Sequence, residues 1–116
     1  MVAPLSYAIV GHLIGDFIIQ NPWMTIEKKE RNWPCLVHCT LYTLAVYICT
    51  FWPLWTLPFI FIPHFLIDRT NFISKWMGWM GQAGFRDGLA PWSSIIVDNV
   101  FHIVTLFIIH VFLVLA

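Results

Sequence analysis

Four apolar stretches, each ended by proline, glycine or a knot of charge, constrain this chain more than any other feature. They cover about residues 3–20, 35–51, 57–74 and 93–116. A bilayer core about 30 Å thick asks for roughly 20 apolar residues per helix. Segments of that size consume nearly all of the 116 residues. The expected fold is therefore all-α: one domain, residues 1–116, forming an integral membrane bundle of four transmembrane helices. Charged residues make up 10% of the chain and hydrophobic ones 59%, whereas soluble domains carry about 25% charge. Net charge is zero and no long basic run occurs, so membrane lipid is the expected partner and nucleic acid is not.

The connections carry the punctuation. Pro22 and Pro34 flank a charged loop, residues 27–31, with room for a short interfacial helical turn. Pro53 and Pro58 mark an apolar hairpin turn, and Gly78, Gly81, Gly84 and Gly88 loosen the third connection before Pro91-Trp92-Ser93, where Ser93 reads as a helix cap. The first stretch has no basic leader and no small-residue cleavage site, and it contains Asp16, so it is expected to stay as a helix. Cys35, Cys39 and Cys49 are odd in number and lie in apolar sequence, which points to reduced thiols.

All six cations lie after the first stretch (Lys28, Lys29, Arg31) or at or after the end of the third (Arg69, Lys75, Arg86). In an up-and-down bundle these positions share one side, and loops rich in Lys and Arg stay in the cytoplasm. The expectation is a multi-pass protein of the cytoplasmic (inner) membrane with both termini outside. Trp23, Trp33, Trp76, Trp79 and Trp92 fall at the cytoplasmic boundary and Trp52 and Trp55 at the other, as interfacial aromatic belts do.

Against this background His12, Asp16, His38, His64, Asp68, Asp98 and His102 are out of place. An aspartate at mid-helix costs about 2.5–3.5 kcal/mol on insertion scales, so each such residue needs a partner or a role. His12 and Asp16, His64 and Asp68, and Asp98 and His102 are spaced i, i+4, which stacks both side chains on one helix face. All seven fall in the cytoplasmic half, whereas His110 falls in the outer half. Imidazole nitrogen and carboxylate oxygen suit zinc first, then manganese, iron or nickel, and inward-facing pairs of this kind build metal sites in bundles. Seven candidate ligands exceed one tetrahedral ion and fit two. Gln20, Lys28 and Arg69 are candidates for holding substrate or supporting the ligands, Gly11 and Gly15 for close helix packing, and Pro63 for bending the third helix. A proton relay and a hydrogen-bonded network joining the helices remain open as other uses of the same residues.

Gly11-His12-Leu13-Ile14-Gly15-Asp16-Phe17 with Gln20, His38 with Tyr42, His64-Phe65-Leu66-Ile67-Asp68, and Asp98-Asn99 with His102 resemble a family of small bacterial and phage four-helix membrane proteins of unknown function. The similarity runs over nearly the whole chain and implies the helix plan and the choice of residues, without an activity. A looser similarity, to membrane-bound metal-dependent hydrolases, rests on His-x-x-x-Asp pairs on short apolar helices. The leading expectation is a metal-dependent hydrolase acting on a lipid or lipid-linked substrate. The alternatives are a divalent metal or proton transporter, with a homo-oligomer supplying the pore, and a metal-dependent binding or effector protein without catalysis.

Overall fold

The computed structural model describes all residues, 1–116. It contains six α-helices: α1 (Leu5–Leu13), α2 (Pro22–Glu27), α3 (Asn32–Thr50), α4 (Thr56–Arg69), α5 (Phe72–Trp79) and α6 (Ser93–Leu115). Two π-helical turns, Ile14–Ile18 and Phe85–Leu89, complete the secondary structure, and there is no strand. Helices α1, α3, α4 and α6 correspond to the four apolar stretches; α3 packs on both α1 and α4, and α6 closes against both of those. By length and composition α3 and α6 are able to cross a membrane, while the apolar helical stretch Leu5–Ile18 is shorter.

Several boundaries differ from the sequence expectation for physical reasons. α3 starts at Asn32 rather than near 35 because Pro34 falls in its first turn, where a missing N–H costs nothing. The helix of the third apolar stretch, α4, stops at Arg69 rather than 74: Thr70 turns to an extended conformation, and the chain restarts as the separate helix α5. α4 itself runs through Pro63 without a break. The interfacial turn in the first loop is α2, capped by Asn21, whose Oδ1 accepts from the Met24 N–H at 2.9 Å, with Pro22 as its first residue. Ser93 is not a cap. α6 begins from Trp92 with no side-chain capping bond, and the Ser93 hydroxyl is buried without a partner.

Gly11 and Gly15 explain how α1 reaches α3. A Cβ on Gly11 would lie 2.7 Å from the Val46 Cα, and one on Gly15 would lie 2.7 Å from the Tyr42 ring. Only hydrogen fits at either point, the small-xxx-small contact expected between membrane helices. Burial is inverted relative to a soluble domain. Of 26 buried residues, nine are polar or charged, including His12, His38, His64, Asp68 and His102, while Phe59, Ile62, Phe107, Ile108 and Phe112 are exposed. An apolar cluster that includes Ala8, Val46, Trp52, Ile60, Ile109 and Leu113 fills the end of the bundle opposite the cations. There the Trp52 indole N–H donates to the Ala3 carbonyl at 3.1 Å and the ring stacks on His110.

Candidate metal centre

Three elements bring four ligand atoms to one point. His38 comes from α3, His64 and Asp68 from successive turns of α4, and Asp16 from the π-helical turn after α1. The Nε2 of His38 is 3.1 Å from Asp16 Oδ1, 2.8 Å from Asp68 Oδ2 and 3.0 Å from the Nε2 of His64. The Nε2 of His64 is 3.4 Å from Asp16 Oδ1 and 3.0 Å from Asp68 Oδ2. Asp16 Oδ1 is buried yet has no hydrogen bond, although two imidazole nitrogens lie beside it. The four ligand atoms lie close enough together to share one centre. All four residues are buried.

Asp68 joins this group to a second one. Its Oδ2 belongs to the first centre, while its Oδ1 lies 3.2 Å from His102 Nε2. His102 Nε2 is in turn 3.4 Å from Asp98 Oδ2, and Asp16, Asp98 and His102 form a second set of mutually close ligand atoms. Asp98 is 22% exposed where the other ligands are enclosed. The inner group is thus closed and the outer one opens on one side. The cluster has the ligand types and spacing to hold a metal ion.

Asp16 owes its position to a local feature that periodicity did not reveal. The Ile19 N–H bonds the Ile14 carbonyl at 3.1 Å, an i→i+5 bond that widens the turn around Asp16. π-turns of this kind are frequent at functional sites. Its Oδ2 keeps the expected relation to His12, at 3.6 Å from Nδ1, while Oδ1 points at His38 and His64.

His12 stands apart from the other six expected ligands, in neither group. Its Nε2 is 2.7 Å from Asn99 Oδ1, and the Asn99 amide nitrogen donates to the Ile95 carbonyl, which fixes the amide orientation. His12 Nε2 therefore carries a hydrogen and donates it, leaving Nδ1 facing the Tyr42 hydroxyl at 2.8 Å. Tyr42 stacks on His64 at 3.7 Å between ring centroids, and His64 stacks on His102 at 3.9 Å. Tyr42 and Asn99, present in the sequence motifs but given no role there, are what hold the imidazoles. Tyr42 could have been read as a neighbour of His38 at i+4; Asn99 carried no separable signal beside Asp98.

The three supporting candidates divide. Lys28, at the end of α2, reaches in: its Nζ is 3.2 Å from Asp68 Oδ2 and 3.0 Å from Gln20 Oε1, while Gln20 Nε2 donates to the Asp16 carbonyl. Burial disfavours the Lys28 ammonium, but the carboxylates of Asp68, Asp16 and Asp98 outweigh that, and its pKa is held above the ordinary lysine value. Arg69 turns away from the centre. Its guanidinium bonds Asn32 Oδ1 and the carbonyls of Lys29 and Glu30, because the loop before α3 folds over the end of α4. Lys29 caps that same helix end through the carbonyls of Asp68 and Thr70. The cysteines are free thiols, with the Sγ atoms of Cys35 and Cys39 3.9 Å apart.

A cleft of about 610 Å³ reaches the cluster from the cation-bearing end, with Asp16, Gln20, Lys28 and Asp98 in its wall. Phe17 and Ile95, the latter at the start of α6, also line it. Comparison with curated proteins and with solved structures finds no match to this chain. Residues 5–116 match the family described as "Protein of unknown function (DUF3307)", and the chain belongs to that family.

Proposed function

We propose that this protein is a membrane-embedded hydrolase whose His/Asp cluster holds two divalent ions beneath the cytoplasmic headgroups. The observation that carries the reading is the convergence of Asp16, His38, His64 and Asp68. A tetrahedral zinc with bonds of about 2.0–2.1 Å has ligand atoms about 3.3 Å apart. Five of the six separations among these four atoms run from 2.8 to 3.4 Å, and all four atoms lie within 4.8 Å of one another, so zinc fits with little rearrangement. The second ion would rest on Asp98, His102 and Asp16, with Asp68 between the two and an open side toward the cleft, the arrangement that distinguishes catalytic from structural sites.

Bound divalent ions would supply a Lewis acid and an activated water. The chain's own residues would orient and balance them: Tyr42 and Asn99 fix the tautomer of His12 beside Asp16, and Lys28 with Gln20 forms the rim. A transporter would need a polar route through the outer half. Val46, Ile60, Leu106, Ile109 and Leu113 fill that half with apolar side chains, which favours chemistry at a one-sided site.

The same reading has α1, α3, α4 and α6 crossing a cytoplasmic membrane with both termini outside. Its support is the inverted burial, the apolar exterior, and a long dimension of 45 Å, comparable with a bilayer of about 40–45 Å including headgroups. α4 has 14 residues, about 21 Å at 1.5 Å per residue, so the bilayer would thin at the site or α4 would rely on its flanks. The test is protein reconstituted in phospholipid vesicles with zinc or manganese and assayed for cleavage of the vesicle lipids. Cleavage that disappears on chelation and in His64→Ala is expected; cleavage indifferent to both would overturn the proposal.

A further inference from the structure

Charge and shape at the cleft narrow the substrate. Two divalent ions held by Asp16, Asp68 and Asp98 retain one uncompensated positive charge, and the Lys28 ammonium makes two. Of the other cations in the cleft wall, Arg86 is paired with Asp87, while Lys29, held on the carbonyls at the end of α4, keeps its charge and adds to the surplus. A surplus of at least two charges at the edge of a low-dielectric layer is costly unless an anion meets it. A carboxylic ester or amide brings no charge, whereas a phosphate monoester brings close to two. The Lys28 Nζ holds Gln20 Oε1 and Asp68 Oδ2, and the third hydrogen of its ammonium is left to donate to an anion in the cleft that Lys28 lines.

The shape argues for the source of that phosphate. The cleft wall changes from Lys28, Gln20 and Asp98 to Phe17 and Ile95. Those last two side chains are 55% and 56% exposed on the apolar exterior. Phe17 lies in the π-turn after α1 and Ile95 in the first turn of α6, so in the membrane placement proposed above the gap between these elements would open sideways toward hydrocarbon. Resting on the hydrolase reading above, we infer that the substrate is a membrane amphiphile with a phosphate monoester headgroup. It enters between the π-turn after α1 and the start of α6, with Lys28 gripping the phosphate and the chains lying against Phe17 and Ile95. In the reaction, the oxygen of water forms a new bond to phosphorus and the bond from phosphorus to the lipid oxygen breaks. The proton passes to that oxygen, and an alcohol and inorganic phosphate leave.

The experiment uses the full chain in phosphatidylcholine vesicles, zinc-loaded, with bound metal counted first. Three probes are compared: long-chain phosphatidate in the vesicle, water-soluble p-nitrophenyl phosphate, and the carboxylic esters of the phosphatidylcholine itself. Phosphate release from phosphatidate is expected, at a kcat/KM at least 10-fold above that for p-nitrophenyl phosphate, with the carboxylic esters intact. Lys28→Met should lower kcat/KM for phosphatidate by roughly 30-fold or more, the low end for removing one partner of a buried charged contact. Lys28→Arg should recover part of it, and both variants should keep their metal. Ester cleavage without phosphate release would overturn the substrate inference while leaving a hydrolase. Equal rates on phosphatidate and p-nitrophenyl phosphate would overturn the sideways route, and full activity in Lys28→Met would overturn the role of Lys28. A metal-free protein would instead overturn the reading on which the inference rests.

Discussion

Asp68→Asn separates a metal centre from a hydrogen-bonded network between helices, because this one carboxylate faces both ligand groups. Its Oδ2 lies 2.8 Å from His38 and 3.0 Å from His64, and its Oδ1 3.2 Å from His102. Asparagine keeps the shape and one acceptor but replaces the other oxygen with a donor and removes the charge. Substituting residues that merely support metal ligands already weakens binding by about 10–100-fold. Loss of a direct anionic ligand should therefore exceed about 100-fold, or about 2.7 kcal/mol. A purely hydrogen-bonded role predicts far less, since interhelical bonds in membranes average about 0.6 kcal/mol and reach about 1.7. Zinc affinity in detergent, measured by competition with a chromophoric chelator, reads the first quantity, and thermal unfolding in excess chelator reads the second. Asp98→Asn is the companion variant: Asp98 belongs only to the outer group, so one of two ions should be lost and the other kept. Equal zinc affinity in wild type and Asp68→Asn would refute the reasoning.

Three further outcomes are expected. Gly11→Ala places a methyl 2.7 Å from the Val46 backbone, so overpacking of about 1–3 kcal/mol should lower the melting temperature and metal content together. Gly84→Ala, which meets nothing within 4 Å, should change neither. A periplasmic-type reporter after Ala116 should be active and one near Lys29 silent, whereas the reverse pattern would invert the orientation. Cys49→Ala should leave the protein folded and inserted, and reductant should not shift its melting temperature, because the thiols are unpaired; a shift of several degrees would show a structural disulfide.

The sequence made the helical plan legible because apolar run length and proline are local signals. The four apolar segments and the short turn after Pro22 follow from them, and the small residues Gly11 and Gly15 point to the close approach; the cap at Asn21 was not foreseen. The i, i+4 spacing of His64 and Asp68, and of Asp98 and His102, likewise survives into the structure, because each pair lies on a regular α-helix. What spacing cannot carry is the partner across the bundle. His12 has the same spacing to Asp16, yet Asn99 and Tyr42 take both of its nitrogens. Arg69 stands next to a ligand in sequence but is one position further round the helix, and the loop carbonyls capture it. The π-turn at Asp16 lies where Gly15 meets Tyr42 of α3, and no periodicity in the chain announces it. Ser93 failed as a cap for a similar reason: the turn at Ala90 and Pro91 already bonds the Ser93 N–H, at 2.8 Å from the Ala90 carbonyl, and begins the helix one residue early.

If Asp16, His38, His64, Asp68, Asp98 and His102 hold metal, elemental analysis of the full chain, purified in detergent without chelator and then dialysed against zinc, should find it. Close to two zinc ions per chain are expected, falling to about one in Asp98→Asn and below one in Asp68→Asn. Wild-type protein that stays folded, emerges metal-free, and takes up neither zinc nor manganese, iron or nickel would contradict that reading.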